Sequence, residues 1–208
     1  MNFTVRLAQR IDMESVLNLI TELAVFEKEP HAVDITVDDL IRDGFSEPPK
    51  FRVFVAEQEN TIIGIALFYE RFSTWKGRTL HLEDLIVTKS KHKIGAGKAL
   101  YTAVLKYAYD HHFNRVAWEV IDWNKNAIDF YKSTGATYLN DWSVVQMNKE
   151  NLKSKLIMQI HDELLLEVHQ DEIDYISKMV IENMRDAMKL DVPIEIDFGV
   201  GPSWYEAH

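Results

Sequence analysis

Apolar residues recur at two different spacings along this chain, and the changes between them mark out its elements. Val16, Leu19, Ile20, Leu23 and Phe26 fall at helical spacing. Asp12 stands before them as an N-cap and Pro30 after them, so a first helix is predicted to stop near Glu27. A shorter helix is expected over Val37 to Arg42. Phe51 to Glu57 and Thr61 to Glu70 alternate like strands about a turn at Asn60, which predicts a hairpin. After a loop from Ser73 to Arg78 comes an apolar strand, His81 to Thr88, and then a helical stripe of Leu100, Val104, Tyr107 and Ala108. Arg115 to Ile121 reads as a strand, and Ala127 to Ser133 as a helix closed by Gly135 at C′. Trp142 to Met147 reads as a strand and Lys149 to Lys155 as a polar exit segment. Further on, Leu156 to Ile160 and Leu164 to Val168 are predicted strands around a turn at His161-Asp162-Glu163. A helix from about Asp171 carries Ile173, Ile176, Val180, Met184 and Ala187 on one face, and Pro193 to Val200 is expected as a last strand before a loop end. Strands alternating with helices predict an α/β (α+β) layered fold.

Composition limits what such a fold can do. With 208 residues and 47% apolar content, the chain can build one good core, or one domain and a small appendage. It contains no cysteine, which excludes a disulfide framework, a thiolate nucleophile and a cysteine metal site. The first ten residues lack the apolar stretch of a signal peptide, and the longest apolar run, Ile62 to Phe68, is broken by Gly64. A soluble, cytoplasmic protein with no membrane partner is expected. Of the formal net charge of −10, −7 falls between Leu152 and His208. That acidic balance argues against a nucleic-acid partner, because affinity for phosphate backbones comes from Lys and Arg.

The candidate chemistry gathers between Leu80 and Asp110. The strand carries two adjacent carboxylates, Glu83 and Asp84, and leads into a loop with Gly95-Ala96-Gly97 before the helix. Strand, glycine loop and helix N-terminus form an arrangement that turns free backbone N–H groups toward an anion. Lys89, Lys91, Lys93 and Lys98 crowd the same loop. On these residues alone, a phosphate-binding loop and an ordinary tight turn with solvated lysines both remain open. Successive strand residues face opposite sides, so one of the two carboxylates should point into a cleft unless a bulge intervenes.

Residues 1 to about 152 resemble the GNAT superfamily of N-acetyltransferases, and within it the diamine and thialysine acetyltransferases. The matching stretches are Leu19-Ile20-Thr21-Glu22-Leu23-Ala24, Ser73-Thr74-Trp75-Lys76-Gly77-Arg78, Leu82-Glu83-Asp84, Gly95-Ala96-Gly97, Asp122-Trp123-Asn124 and Phe130-Tyr131-Lys132. The resemblance implies a GNAT fold with a mixed central sheet and acetyl-coenzyme A as co-substrate. It implies Glu83 as the general base for the amine and Tyr131 as the general acid for the leaving thiol. Leu85, Ile86 and Val87 would pair with the pantetheine arm, and His92, Lys93, Ile94, Gly95, Ala96, Gly97 and Lys98 would hold the pyrophosphate. Asn124, Lys125, Asn126 and Ala127 would bind further along the co-substrate, and Glu27 and Trp75 would line the acceptor site. One departure stands out: His92 occupies the loop position where the family usually has Arg or Gln. Polyamine-specific members commonly have an aspartate two residues before the Trp75 position, where this chain has Ser73. The expected acceptor is therefore a small primary amine of the thialysine, lysine or diamine type, handled by a homodimer.

From about 154 onward the chain resembles the C-terminal palm fragment of family A DNA polymerases: an apolar strand, His161-Asp162-Glu163, a second apolar strand, then Asp191-Val192-Pro193 and the closing Trp204 to His208. Asp162 matches the polymerases' metal-binding aspartate, but two-metal chemistry needs carboxylates from separate strands. The upstream partner strand has no counterpart here, so no functional metal is expected. The domains expected are an acetyltransferase over 1–152 and a catalytically incomplete polymerase-like fragment over 153–208. The competing class is an interaction or nucleic-acid accessory module in which that tail is the working part.

Overall fold

The structure is a computed structural model that describes residues 2–146, 155–160, 163–186 and 195–207. The chain divides into two compact units, Met1–Thr137 and Tyr138–His208. In the first, five strands pair in chain order: β1 (Thr4–Leu7), β2 (Arg52–Gln58), β3 (Thr61–Ser73), β4 (Gly77–Val87) and β5 (Arg115–Ala117). Neighbours are antiparallel as far as β4, and β5 joins β4 in parallel, so the sheet is mixed as expected.

Helices cover both faces of this sheet. On one side α1 (Met13–Phe26) and α2 (Val37–Gly44) bury Met13, Val16, Leu19 and Leu40 against Val53, Val55, Ile65 and Ile86. On the other, α3 (Ala96–Asp110) sets Leu100, Tyr101 and Val104 on Ala56, Phe68, Leu80 and Leu82. The period-2 alternation of β2 serves both sides, with Val53 and Val55 toward α1 and Phe54 and Ala56 toward α3. Gly64 is dictated by this packing. A Cβ there would sit 2.8 Å from the Ile86 carbonyl oxygen and 2.9 Å from Val87 Cγ2, so only glycine lets the two long strands meet beneath α3. α4 (Lys125–Ser133) follows β5. Asn124 Oδ1 caps it by accepting from the Ala127 N–H at 3.2 Å, and Gly135 takes the left-handed conformation beyond its end at φ 85°.

The structure departs from the sequence reading in several places. β1 was not anticipated, although Val5 and Leu7 alternate with Thr4 and Arg6; four residues at a sheet edge are a weak signal. Asp12 stands at the N-cap position of α1 as expected, but its side chain makes no capping bond. Its buried carboxylate accepts from the Arg6 guanidinium at 2.7 and 3.0 Å and from the Gln9 N–H at 2.7 Å, closing a short 3-10 turn ahead of the helix. A buried carboxylate must be met by such donors, and their geometry turns it away from the cap. The loop expected from Ser73 to Arg78 shrinks to three residues, because β3 and β4 run on to Ser73 and Gly77. Ser73 Oγ accepts from the N–H groups of Trp75 and Lys76 at 3.3 and 3.2 Å, so it braces the turn. The strand expected over Arg115 to Ile121 stops at Ala117. Trp142 to Gln146 form no strand, and Met147 lies outside the described residues.

In the second unit β6 (Lys155–Ile160) and β7 (Glu163–Glu167) make an antiparallel hairpin, and α5 (Ile173–Asp186) and the short α6 (Trp204–Ala207) follow. The hairpin and helix were expected. The last strand is not found over 195–200, so this sheet has two strands among the described residues. His161, Asp162, Ala187 and the Asp191 to Pro193 stretch lie outside the described residues.

Candidate active site

The site is built on β4. Its register against β3 slips between the pairs Leu67–Asp84 and Phe68–Leu82, which leaves Glu83 with no residue opposite it. This is a β-bulge. Its effect reaches the core: Leu82 and Leu85 both face α3, although in an unbroken strand residues three apart would face opposite sides. Ile86 takes the α1 side. The expected alternation of the two carboxylates is therefore replaced by a kink that carries both, with Glu83 exposed and Asp84 half-buried.

β5 pairs with β4 only from Thr79 to His81. From Leu82 to Val87 that edge of β4 has no strand beside it among the described residues. The edge contains Leu85, Ile86 and Val87 and begins beside the bulge.

The two carboxylates are driven in opposite directions. His81 Nε2 stands 3.4 Å from Glu83 Oε2, and this contact, helped by the Tyr69 hydroxyl, holds the Glu83 carboxyl below its usual range. Burial pushes Asp84 up to about 6, and the negative charges of Glu83 and Glu27 add to the effect. Glu27 is the C-cap of α1, and its partial burial raises its own carboxyl as well. Three carboxylates from two elements thus share one electronegative region, suited to a cationic amine. Trp123, from the loop before α4, leans on the same end of α1: its ring lies 5.4 Å from Phe26, and Lys28 Nζ stands 4.9 Å above it.

The loop after β4 is tied to α1. Glu22 accepts from the Lys89 N–H at 2.9 Å and from the Thr88 hydroxyl at 3.2 Å. His92 is turned back on the strand, with Nε2 at 2.8 Å from the Val87 carbonyl oxygen. Lys93 and Gly95 both take positive φ, 67° and 90°, and Gly95 is the N-cap of α3. The first helical turn bond runs from the Ala99 N–H to the Gly95 carbonyl at 3.0 Å, so the N–H groups of Ala96, Gly97 and Lys98 have no intrahelical acceptor. A Cβ added at Gly97 would meet only Val87 Cγ2, at 3.7 Å.

Tyr131 stands on α4 among aromatic rings, 5.0 Å from Trp118, 5.3 Å from Phe130 and 5.8 Å from Tyr101. Burial, with a smaller contribution from Tyr101, pushes its phenol up to about 12. Trp75 is not brought to this group. It is 78% exposed at the tip of the β3–β4 hairpin, separated from Glu83 along β4 by roughly 20 Å at about 3.3 Å per residue.

Four residues of the site escaped the sequence reading as functional groups. Asp84 was noted only as a neighbour of Glu83, and adjacency was its one signal. Glu22 stood only inside the matching stretch Leu19 to Ala24, with no role of its own, because its partners Thr88 and Lys89 lie far along the chain. His81 and Tyr69 become neighbours only through the β3–β4 register.

Residues 13–136 match the profile of the acetyltransferase (GNAT) family. A thialysine N-epsilon-acetyltransferase from Bos taurus is 37% identical over 145 residues, which cover 66% of this chain and 85% of that protein. An aminoglycoside acetyltransferase from an uncultured soil metagenomic sample, solved in complex with trehalose, superimposes with a TM-score of 0.61 over 71% of this chain and 96% of its own. At 22% identity it speaks for the fold alone. Residues 142–206 match DNA polymerase family A, and DNA polymerase I of Bacillus subtilis is 45% identical over 62 residues, 30% of this chain but 7% of that enzyme. No helix among the described residues is long and apolar enough to cross a membrane. The family match over residues 13–136, which spans the bulged carboxylate pair and the glycine loop at the head of α3, establishes that the chain belongs to the acetyltransferase (GNAT) family and is an N-acetyltransferase.

Proposed function

We propose that the enzyme acetylates a small primary amine, of the thialysine, lysine or diamine type, at the expense of acetyl-coenzyme A. The observation that carries this reading is the carboxylate-bearing bulge at the head of an unpaired strand edge. The edge from Leu85 to Val87 offers backbone donors and acceptors of the kind the amides of a pantetheine arm require. The N–H groups of Ala96 to Lys98, with Lys93 and Lys98, suit a pyrophosphate at a helix N-terminus. Asn124 and the turn from Lys125 to Ala127 are suited to contacts further along the same molecule. When bound, acetyl-coenzyme A supplies the acetyl thioester and a thiol leaving group.

The protein's own residues account for the proton movements. An alkylammonium titrates near 10.4, so the acceptor arrives protonated and cannot attack. Glu83, ionised at neutral pH, accepts that proton on a carboxylate oxygen, directly or through water. Glu27 and Asp84 hold the amine by charge. Tyr131, kept neutral by its surroundings, donates its O–H toward the leaving sulfur. A thiol titrates near 8.5, so a phenol near 12 acts mainly as a hydrogen-bond donor that stabilises the departing thiolate. Ser73, in place of a carboxylate, leaves no charge at that turn to grip a distal ammonium, which favours short acceptors over spermidine. The homodimer belongs to the same proposal: Trp75, remote from Glu83 within one chain, would reach an acceptor site in a second copy.

Two measurements test the proposal. Acetyl transfer across thialysine, lysine, diamines, spermidine and aminoglycosides should give the highest kcat/KM for thialysine or lysine; no turnover with any amine refutes it. Gly97→Ala should weaken acetyl-coenzyme A binding while leaving the melting temperature unchanged, because the fold has room for the new methyl. An unchanged Kd would place the phosphates elsewhere.

A further inference from the structure

His81 carries no proton in the proposed chemistry, yet it is one of the few polar side chains in the core of the first unit. It is 6% exposed, on β4, opposite Tyr69 of β3 and Ala117 of β5. Its ring centroid lies 5.1 Å from that of Tyr69. Nε2 faces Glu83 Oε2 at 3.4 Å, and Nδ1 is buried with no hydrogen-bond partner. A buried polar atom left unmet is uncommon and calls for a reason.

The two neutral tautomers are not equivalent here. A proton on Nδ1 would bury an unmet donor and aim the Nε2 lone pair at a carboxylate. A proton on Nε2 directs a donor at Glu83 and leaves only an unmet acceptor inside, the smaller penalty. Residues i and i+2 of a strand share a face, so His81 is placed to reach Glu83, and the bulge at Glu83 is where that side chain would otherwise be least constrained. At 3.4 Å the contact is long for a hydrogen bond, as catalytic contacts often are before substrate tightens them.

We propose that His81 is a positioning residue for Glu83: a buried imidazole, fixed as the Nε2–H tautomer, that holds one carboxylate oxygen so that the other faces the amine. This deepens the reading of Glu83 as the base and rests on it. No proton passes through the ring. The amine N–H bond breaks, an O–H bond forms on Glu83, and the His81 Nε2–H bond stays intact throughout. The charged and titratable groups around the pair are Glu83 on β4 itself, Tyr69 on β3 with Arg71 and Glu119 acting on its hydroxyl, and Asp84 and Glu27 acting with Glu83.

The test combines pH–rate profiles with nitrogen NMR of the full-length protein. His81→Phe keeps a ring against Tyr69 but removes the donor. It should lower kcat about tenfold through misplacement of the base, leave the Kd for acetyl-coenzyme A unchanged, and move the acid limb of kcat/KM to higher pH. The sign follows from the loss of a hydrogen bond that favours the ionised carboxylate. His81→Gln, whose amide N–H reaches a similar place, should return the limb and most of the rate. In the wild type, ¹⁵N shifts should report the Nε2–H tautomer at pH 7.5. An Nδ1–H tautomer, or a His81→Phe enzyme with wild-type kcat and an unmoved limb, overturns the proposal; should His81→Phe not fold, an unrestored limb in His81→Gln does the same. Glu83→Gln separates the two levels. A wild-type rate there removes Glu83 as base, whereas a large loss there with an unmoved limb in the His81 variants removes only the positioning role.

Discussion

Between residues 2 and 137 buried apolar side chains form two clusters, one on each side of a five-stranded sheet. Among the residues from 138 to 207 whose burial is described, none is buried, and Leu156, Ile157, Tyr175, Phe198 and Tyr205 are all more than half exposed. Sequence likeness runs the other way: the polymerase match is 45% identical over 62 residues, and the acetyltransferase match 37% identical over 145. High identity in the tail preserves what is local, a hairpin and a helix. A core needs opposing layers, and the matched stretch is 7% of the polymerase, without the strands those side chains would pack on. In this chain, similarity measures ancestry, and burial measures whether the inherited piece has kept its partners.

The largest effects are expected in catalysis, whose proposed residues all lie in the first unit. Glu83→Gln and Tyr131→Phe should each lower kcat by about 10²–10⁴-fold, with the Glu83→Gln loss easing as pH rises and the amine deprotonates unaided. Steady-state rates from pH 6.5 to 10 check both. Next comes packing. Leu100→Ala, at a fully buried position, should cost about 2–5 kcal/mol in urea unfolding. Ile157→Ala, at 58% exposure, should stay within about 0.5 kcal/mol. Equal losses would show that the tail does have a core.

A smaller effect is expected at Asp84. Its carboxyl titrates near 6 when folded and near 3.8 unfolded, so the folded state holds the proton more tightly. The stability this contributes is complete below about pH 4 and is lost as pH rises through about 6. Two pKa units correspond to about 3 kcal/mol, so Asp84→Asn should be more stable than wild type by about 1–3 kcal/mol at pH 8 and by little at pH 4. Melting curves at the two pH values decide it; a gain of the same size at both would remove the ionisation argument. The smallest effect expected is that of the tail itself. A chain ending at Lys153 should keep kcat within about twofold, since every residue given a chemical role precedes Gly135. A folded truncation without activity would overturn the division, and a gel shift of DNA by the full chain at moderate salt would restore the tail as a working part.

Much of this was legible in advance where an apolar period was long. The α1 and α3 stripes, the β2–β3 hairpin and the glycine loop follow from spacing alone. Trp142 to Met147 shows the limit: an apolar run specifies a strand only if a ladder is there to receive it, and residues 142–146 have none. Asp12 was placed correctly at the head of α1, but the bonding of its carboxylate was not legible, because its strongest donors, on Arg6, are fixed by a strand that the pattern did not reveal. The site residues on β4 were legible by type but not by setting. The rise of the Asp84 carboxyl comes first from burial and then from Glu83 and from Glu27 at the far end of α1, and the parting of β4 from β5 depends on where β5 stops.

The bulge at Glu83 has a consequence for how the site is inherited. It splits β4 into two frames, so Leu80 and Leu82 ahead of it and Leu85 and Val87 behind it all reach the α3 side. Deleting Glu83 would mend the ladder and leave the faces as they are, because Leu82 and Leu85 would then stand two apart and share the α3 side, with Ile86 still toward α1. The strand would gain a regular ladder and keep its core. What holds the carboxylates in the cleft is therefore a count of residues as much as their identity. A single-codon deletion of Glu83 would remove a carboxylate and the kink that presents it while sparing the fold around it.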